Sequence, residues 1–244
     1  MLLMHLRLSR VCLSLIALCF VAASSAQSTP SSDNSIPPAS EVKYRHAVLE
    51  TERFIAYLLE IPPQHATMMH RHDRDILTVF VSTAKTTSTF YGREPVTDAI
   101  PSGEIRFRAA GFTHATRNED SVVFRAVLLE FTQSQGTVRT QGDEQRYCNE
   151  GSPTACASEK QKLCTEGFCV TEIRMAPGAI RKTTAPAGSY AMIAVNDCEL
   201  SGGAQDPASL HAYRAGDIQY FESASSSWKN SGHAEAHLVL LNFR

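Results

Sequence analysis

The chain repeats itself once. The stretch IPPQHATMMHRHDRDILTVFVST, starting at Ile61, has a counterpart in RMAPGAIRKTTAPAGSYAMIAVND, starting at Arg174, with Pro63 facing Pro177 and ILTVFVST facing YAMIAVND at one constant offset. The closing segments match too: Gly103 and its EIRF face Gly216 and DIQY, Asn118 faces Asn230, and VLLEF faces LVLLNF. A spacing of about 112 residues is too long for a solenoid unit, so the pattern describes a small domain present twice. Past residue 41 the apolar runs are short, β-branched and aromatic, and separated by Gly, Pro, Asn, Asp and Ser, as in FIAYLLEI, ILTVFVS, EIRFRA, VVFRAVLLEF, FCVTEIRM and YAMIAVN. Helical periodicity is nowhere sustained. The expected fold class is all-β, a sandwich or barrel in each copy. Many runs are apolar on both faces, as strands lying between two layers must be.

The duplication acts as an internal control on the histidines. In MMHRHDRD, His70 and His72 fall on one face if the segment is extended, because side chains alternate across a strand. On its own an HxH is weak evidence and suits a polar loop equally well. By the alignment, however, the second copy has Thr184 and Pro186 at these positions, and His114 falls opposite Ser226. Strand chemistry persists in both copies while the histidines occur in one. A fold that needed them only for packing would not exchange all three for hydroxyls and proline, so the first half is expected to carry a site.

Two motifs frame these residues: PPQHATMMHRHDRD and GFTHATRN, the latter setting Gly111, His114 and Asn118 at fixed spacing. In this the sequence resembles the cupin superfamily, whose first motif ends in HxH and an acid and whose second runs glycine, histidine, asparagine. The second copy keeps APG, the AGD turn at Ala215 to Asp217 and Asn230, and resembles a degenerate cupin. The resemblance implies two tandem jelly-roll barrels, a bicupin, with a metal in the mouth of the first. It also implies the boundaries: a cupin-like barrel over 44–133, a Cys-containing linker over 134–164 and a degenerate barrel over 165–244. The family's acidic ligand usually follows the second histidine by four or five residues, which here are Ile76 and Leu77; the nearest acid, Asp75, lies three on and faces away from His72 on a straight strand. Asp75 is therefore a candidate fourth ligand only if the chain bends, and otherwise a turn acceptor or an ion partner of Arg71, Arg74 or Arg108. Gly111 and Asn118 are read as structural. Met68 and Met69 are expected to pack the barrel wall, and Tyr57, Phe80, Phe90, Phe107 and Phe112 to fill the barrel core, while Glu130 is expected to make a structural hydrogen bond.

Three neutral imidazoles suit a divalent zinc, iron, copper, nickel or manganese ion more than magnesium or calcium, which prefer oxygen. There is no GxSxG, no phosphate loop and no HExxH. Two functions stay open: a metal-dependent enzyme acting on a small oxygenated molecule by dioxygenase- or isomerase-like chemistry, and a non-catalytic or structural bicupin that binds a small ligand. Charge excludes other partners. The net charge is −2, with no basic run and no interleaved aromatics, so nucleic acid is not expected. Self-association into a homo-oligomer is left open.

The first residues carry Arg7 and Arg10, then the apolar VCLSLIALCFVA, then Ser24-Ser25-Ala26. This reads as a signal peptide over 1–26, cleaved between Ala26 and Gln27, with a Ser- and Pro-rich flexible leader over 27–43. The protein is expected to be secreted or periplasmic, with no membrane segment after cleavage, and an oxidising compartment favours disulfides among Cys148, Cys156, Cys164, Cys169 and Cys198. Mass spectrometry of the exported protein should find Gln27 at the N-terminus. A diacylglycerol-modified Cys19 would overturn that expectation.

Overall fold

Strands buried on both faces dominate the structure, a computed structural model that describes residues 36–139, 142–181, 188–202, 209–222 and 227–244. In chain order the first half contributes β1 (Arg45–Glu50), β2 (Phe54–Ile61), β3 (His70–His72), β4 (Ile76–Phe80), β5 (Ala84–Phe90), β6 (Val96–Ile100), β7 (Ile105–Arg108), β8 (Phe112–Asn118) and β9 (Phe124–Phe131). The second contributes β10 (Glu144–Asn149), β11 (Ser152–Cys164), β12 (Phe168–Met175), β13 (Ile180–Arg181), β14 (Tyr190–Ala194), β15 (Cys198–Gly202), β16 (Leu210–Tyr213), β17 (Ile218–Phe221), β18 (Trp228–Asn230) and β19 (Ala236–Phe243). Each half is a jelly-roll barrel of two antiparallel sheets, and there is no α-helix among the described residues. The first pairs β1-β2-β9-β4-β7 with β3-β8-β5-β6; the second pairs β10-β11-β12-β19-β14-β17 with β13-β18-β15-β16. The all-β, two-barrel expectation holds.

Period-two alternation sorts each central strand into two faces with separate duties. On β9, Ala126 and Leu128 face the interior of the first barrel, while Val127, Leu129 and Phe131 face the second half. On β19, Leu238 and Leu240 face their own barrel, while Val239, Leu241 and Phe243 face the first half. The outward rows of both large sheets meet in one apolar core shared by the halves. Phe131 stacks on Phe168 with ring centroids 4.7 Å apart, and Phe54 on Phe243 at 5.6 Å. Phe54 and Phe168 open the corresponding strands β2 and β12, paired with Phe131 and Phe243 respectively. The two stacks are thus the same contact with the halves exchanged.

The turns repeat this relation. Gly103 and Gly216 both have positive φ, and a side chain at Gly103 would collide with the His237 ring of the other half. At Gly216 it would lie 3.0 Å from Leu58 and 3.6 Å from Arg125, the residue that matches His237 in the repeat. Buried Asn118 donates to the carbonyls of Ile61 and Val122 and accepts from the amide of Asp120, and Asn230 does the same with Met175, Ala234 and Gly232. The asparagine of each copy therefore locks one strand end to the turn that follows it.

The stretch 134–164, expected as a linker, is largely strand. Strands β10 and β11 extend the sheet of the second barrel, with β11 burying Ala157 in that barrel and Leu163 in the shared core. Disulfides Cys148–Cys156 and Cys164–Cys169 bridge directly opposed positions of its hairpins, and among the described residues Cys198 is the free thiol. The described end of the expected leader lies against the barrel: Pro38 bridges Arg71, and Ala39 and Val42 are buried. Replacing Phe168 by alanine should cost about 3–5 kcal/mol, as for other large core aromatics. Because the lost contact belongs to both halves, urea denaturation should show a single transition moved to lower urea; two separated transitions would mean that the halves fold independently.

Candidate metal centre

Strand β3 is three residues long and set by its alternation. His70 and His72 point into the barrel and are buried, while Arg71 points out and meets Asp73 at 2.6 Å. Antiparallel pairing with β8 places His114 directly across from His70. The consequence is a convergence of three imidazoles. Nε2 of His72 lies 3.0 Å from Nε2 of His70 and 3.2 Å from Nε2 of His114. Phe112 stacks on the His72 ring at 4.5 Å and Phe90 on the His114 ring at 5.5 Å, fixing both orientations.

The protons are placed by what lies behind the rings. Nδ1 of His70 is 2.9 Å from the carbonyl of Met68, a contact that selects the tautomer with the proton on Nδ1 and a bare lone pair on Nε2. Nδ1 of His72 faces Oε1 of Glu130 at 3.7 Å, and the same oxygen accepts from Nη2 of Arg45 at 2.8 Å. Burial holds His70 down to about 4, against the pull of the Met68 carbonyl, and holds His114 down to about 2, with His70 and His72 adding to the effect. His72 is also lowered by burial, opposed by Glu130. Burial alone would push the Glu130 carboxyl up, but His72 and Arg45 hold it below the usual range. The cluster is therefore neutral near pH 7, backed by one compensated carboxylate. With the proton of His72 on Nδ1 as well, two bare Nε2 atoms 3.0 Å apart would repel unless a cation lay among them. An ion about 2.0–2.1 Å from each nitrogen would set them about 2.9 Å apart on an octahedral face and about 3.3 Å apart on a tetrahedral one. The observed spacings fall within that range, so the residues fit a divalent ion.

Beside the histidines lies a cavity of about 70 Å³, with His114 in its wall along with Ile76, Thr78, Ser88, Arg108 and Thr116. The second barrel carries aromatic rings at the matching positions. Register matches Ile76, Arg108 and Thr116 to Tyr190, Phe221 and Trp228. Those three rings pack on one another, Tyr190 and Phe221 at 4.6 Å, and fill the interior.

No family model matches the chain, and no curated protein does. Solved structures do. AerE from Microcystis aeruginosa superposes with a TM-score of 0.57 at 12% identity, over 82% of this chain and 91% of that one. An oxalate decarboxylase variant from Bacillus subtilis gives 0.53 at 11% identity, over 81% and 74%. Salicylate 1,2-dioxygenase from Pseudaminobacter salicylatoxidans gives 0.51 at 10% identity, over 81% and 76%. All three are cupin structures. The chain has the two-barrel cupin fold.

In the first barrel Gly111 takes a φ of +89° and its amide donates to the carbonyl of His72, closing the turn that brings β8 back beside β3. Asp75 is buried away from the cluster: Oδ1 accepts from the amide of Ala110, and Oδ2 from the amide of Gln135 and the hydroxyl of Ser134. The acid that stands behind a histidine is Glu130, on the barrel-facing row of β9 with Leu128. An acid on an otherwise apolar inward row is the signal that marks it; nothing in the sequence pointed to Arg45. His65 is exposed, with Nδ1 against the carbonyl of Pro63. Met68 is also exposed and does not pack the wall, and Phe107 packs against Phe168 in the shared core, not inside its own barrel. The second-copy positions Thr184, Pro186 and Ser226 lie outside the described residues.

Replacing His72 by alanine should remove the metal from the purified protein, and Glu130→Gln should weaken metal affinity by about 10–100-fold through the orientation of His72. Asp75→Asn should leave metal content unchanged while lowering the denaturation midpoint. Metal content measured on the three variants checks this; loss of metal in Asp75→Asn would make the aspartate a ligand.

Proposed function

We propose that the protein binds one divalent ion per chain at His70, His72 and His114 and acts on, or binds, a small oxygenated molecule in the first barrel. The observation that carries this is the convergence of three neutral imidazoles, two of them buried and the third half-buried, beside a cavity. A bound ion would supply a positive centre that polarises a ligand oxygen. The protein's own residues do the rest. The Met68 carbonyl and Glu130 fix the direction of two imidazoles, Phe90 and Phe112 clamp the rings, and the apolar wall of Leu59, Phe80 and Phe124 limits water. Structural neighbours that turn over or hold small oxygenated molecules lend support: an oxalate decarboxylase, and a salicylate 1,2-dioxygenase with gentisate. The ion's identity among zinc, iron, manganese, nickel and copper is left to analysis. Two disulfides fit an oxidising, extracellular compartment, and no helix among the described residues is long and apolar enough to cross a membrane.

A non-catalytic binding barrel is the second reading. It is favoured by the absence of a carboxylate from the cluster, since Asp75 is engaged elsewhere and Glu130 is paired with Arg45. Metal analysis after dialysis against each ion in turn should find one equivalent in the wild type and none in His72→Ala. Oxygen uptake and substrate turnover by the loaded protein then separate enzyme from binder. A wild type that takes up no ion would remove the site.

A further inference from the structure

The cavity beside the three histidines lacks negative charge. No aspartate or glutamate lines it, although two arginines do. Arg106 is matched, 3.3 Å from Asp98 and 3.4 Å from Glu104. Arg108, exposed at the mouth, makes no hydrogen bond or ion pair among the described residues. Its guanidinium lies 4.8 Å from the centre of the Phe90 ring and 5.9 Å from that of Phe112, the two rings that stack on His114 and His72. Behind the cluster the nearest acid, Glu130, already meets Arg45 at 2.8 Å.

With a divalent ion on neutral imidazoles, the cavity would hold the ion's charge and that of Arg108, and the acid in reach of Arg108, Asp98, is already 3.3 Å from Arg106. Apolar walls make such an imbalance costly. The compensating anion must therefore arrive with the ligand. A guanidinium with free donors matches a carboxylate with two parallel hydrogen bonds, and the hydroxyls of Thr78, Thr86, Ser88 and Thr116 line the path between mouth and histidines. Size narrows the class. A cavity of about 70 Å³ is about half the roughly 150 Å³ of an engineered apolar cavity that holds benzene, too little for a substituted aromatic ring. In a molecule that small, oxygens on adjacent carbons can serve Arg108 and the ion together. The second barrel supports the assignment, because Phe221, packed on Tyr190, stands where Arg108 does.

We infer that the cavity takes a small aliphatic 2-hydroxy or 2-oxo acid, its carboxylate held by Arg108 and its second oxygen turned toward the histidines. This rests on the metal reading of the same site. The test is calorimetric titration of zinc-loaded protein with glycolate and pyruvate, with ethylene glycol as the uncharged probe and gentisate as the oversized one. Glycolate or pyruvate should bind, and ethylene glycol and gentisate should bind at least tenfold more weakly. Arg108→Gln should lower the acid's affinity about tenfold or more with zinc content unchanged, and Arg108→Lys should recover part of the loss. Unchanged affinity in Arg108→Gln, or ethylene glycol binding as tightly as glycolate, would overturn the anion site, and gentisate binding as tightly as glycolate would overturn the size limit. Zinc bound with both acids ignored overturns this inference alone. Zinc not bound at all overturns the metal reading and this inference with it.

Discussion

The structure depends on one contact made twice, the stacking of Phe131 on Phe168 and of Phe54 on Phe243 between the two large sheets. A sheet that is apolar on both faces needs two covers. In each half the smaller sheet covers the inner face, and the outer face is covered by the matching outer face of the other half. Neither barrel therefore has a complete set of buried surfaces alone, which is why a chain with short strands and no α-helix among its described residues can still place Leu77, Leu129, Val170 and Leu241 out of water. Glycines at the Gly103 and Gly216 turns let the backbone approach the opposite half closely on both sides of this contact.

Duplication also explains how one half can specialise. The residues that hold the fold occur in both copies: the stacked phenylalanines, the close-packed glycines, and the asparagines Asn118 and Asn230 with identical bonding patterns. None of them points into a barrel interior near the histidines. The interior rows are consequently free to diverge without loss of the shared core. In the second barrel they have become Tyr190, Phe221 and Trp228, which pack as a plug; in the first they are Ile76, Arg108 and Thr116, which leave space. An unfilled interior sacrifices apolar contacts, and it coincides with the one cluster of three converging imidazoles found among the described residues.

Much of this was legible in the sequence because it is periodic or repeated. Alternation marks strands, an offset that stays between 112 and 114 residues over several segments marks duplication, and HxH on a strand fixes two side chains on one face. What alternation cannot show is which of two apolar faces turns toward which neighbour, and so Phe107, expected inside its barrel, lies in the shared core. Partners distant in sequence were equally hidden. Asp75 is three residues from His72 and drew attention by proximity, yet its backbone leaves the strand and its carboxylate ties the loops at Ala110 and Gln135. Glu130 reaches His72 only through the pairing of β9 with β4, and Arg45 reaches Glu130 only through β1 and β2. The exposure of Met68 follows from the turn before β3, which no pattern of apolar residues records.

The placement of charge around the histidines has a direction. The one carboxylate in reach stands behind His72, and Arg45 balances it there. In that position it can orient the imidazole and favour the proton on Nδ1, while contributing little field to the cavity beyond the rings. A carboxylate in the ligand set would instead cancel part of an ion's charge. Three neutral imidazoles would leave that charge whole, and Arg108 lies over Phe90 and Phe112, the rings that stack on two of them. Positive potential is thus concentrated on the open side and balanced on the closed one, so an anionic group entering from the mouth meets a field that the protein itself does not neutralise.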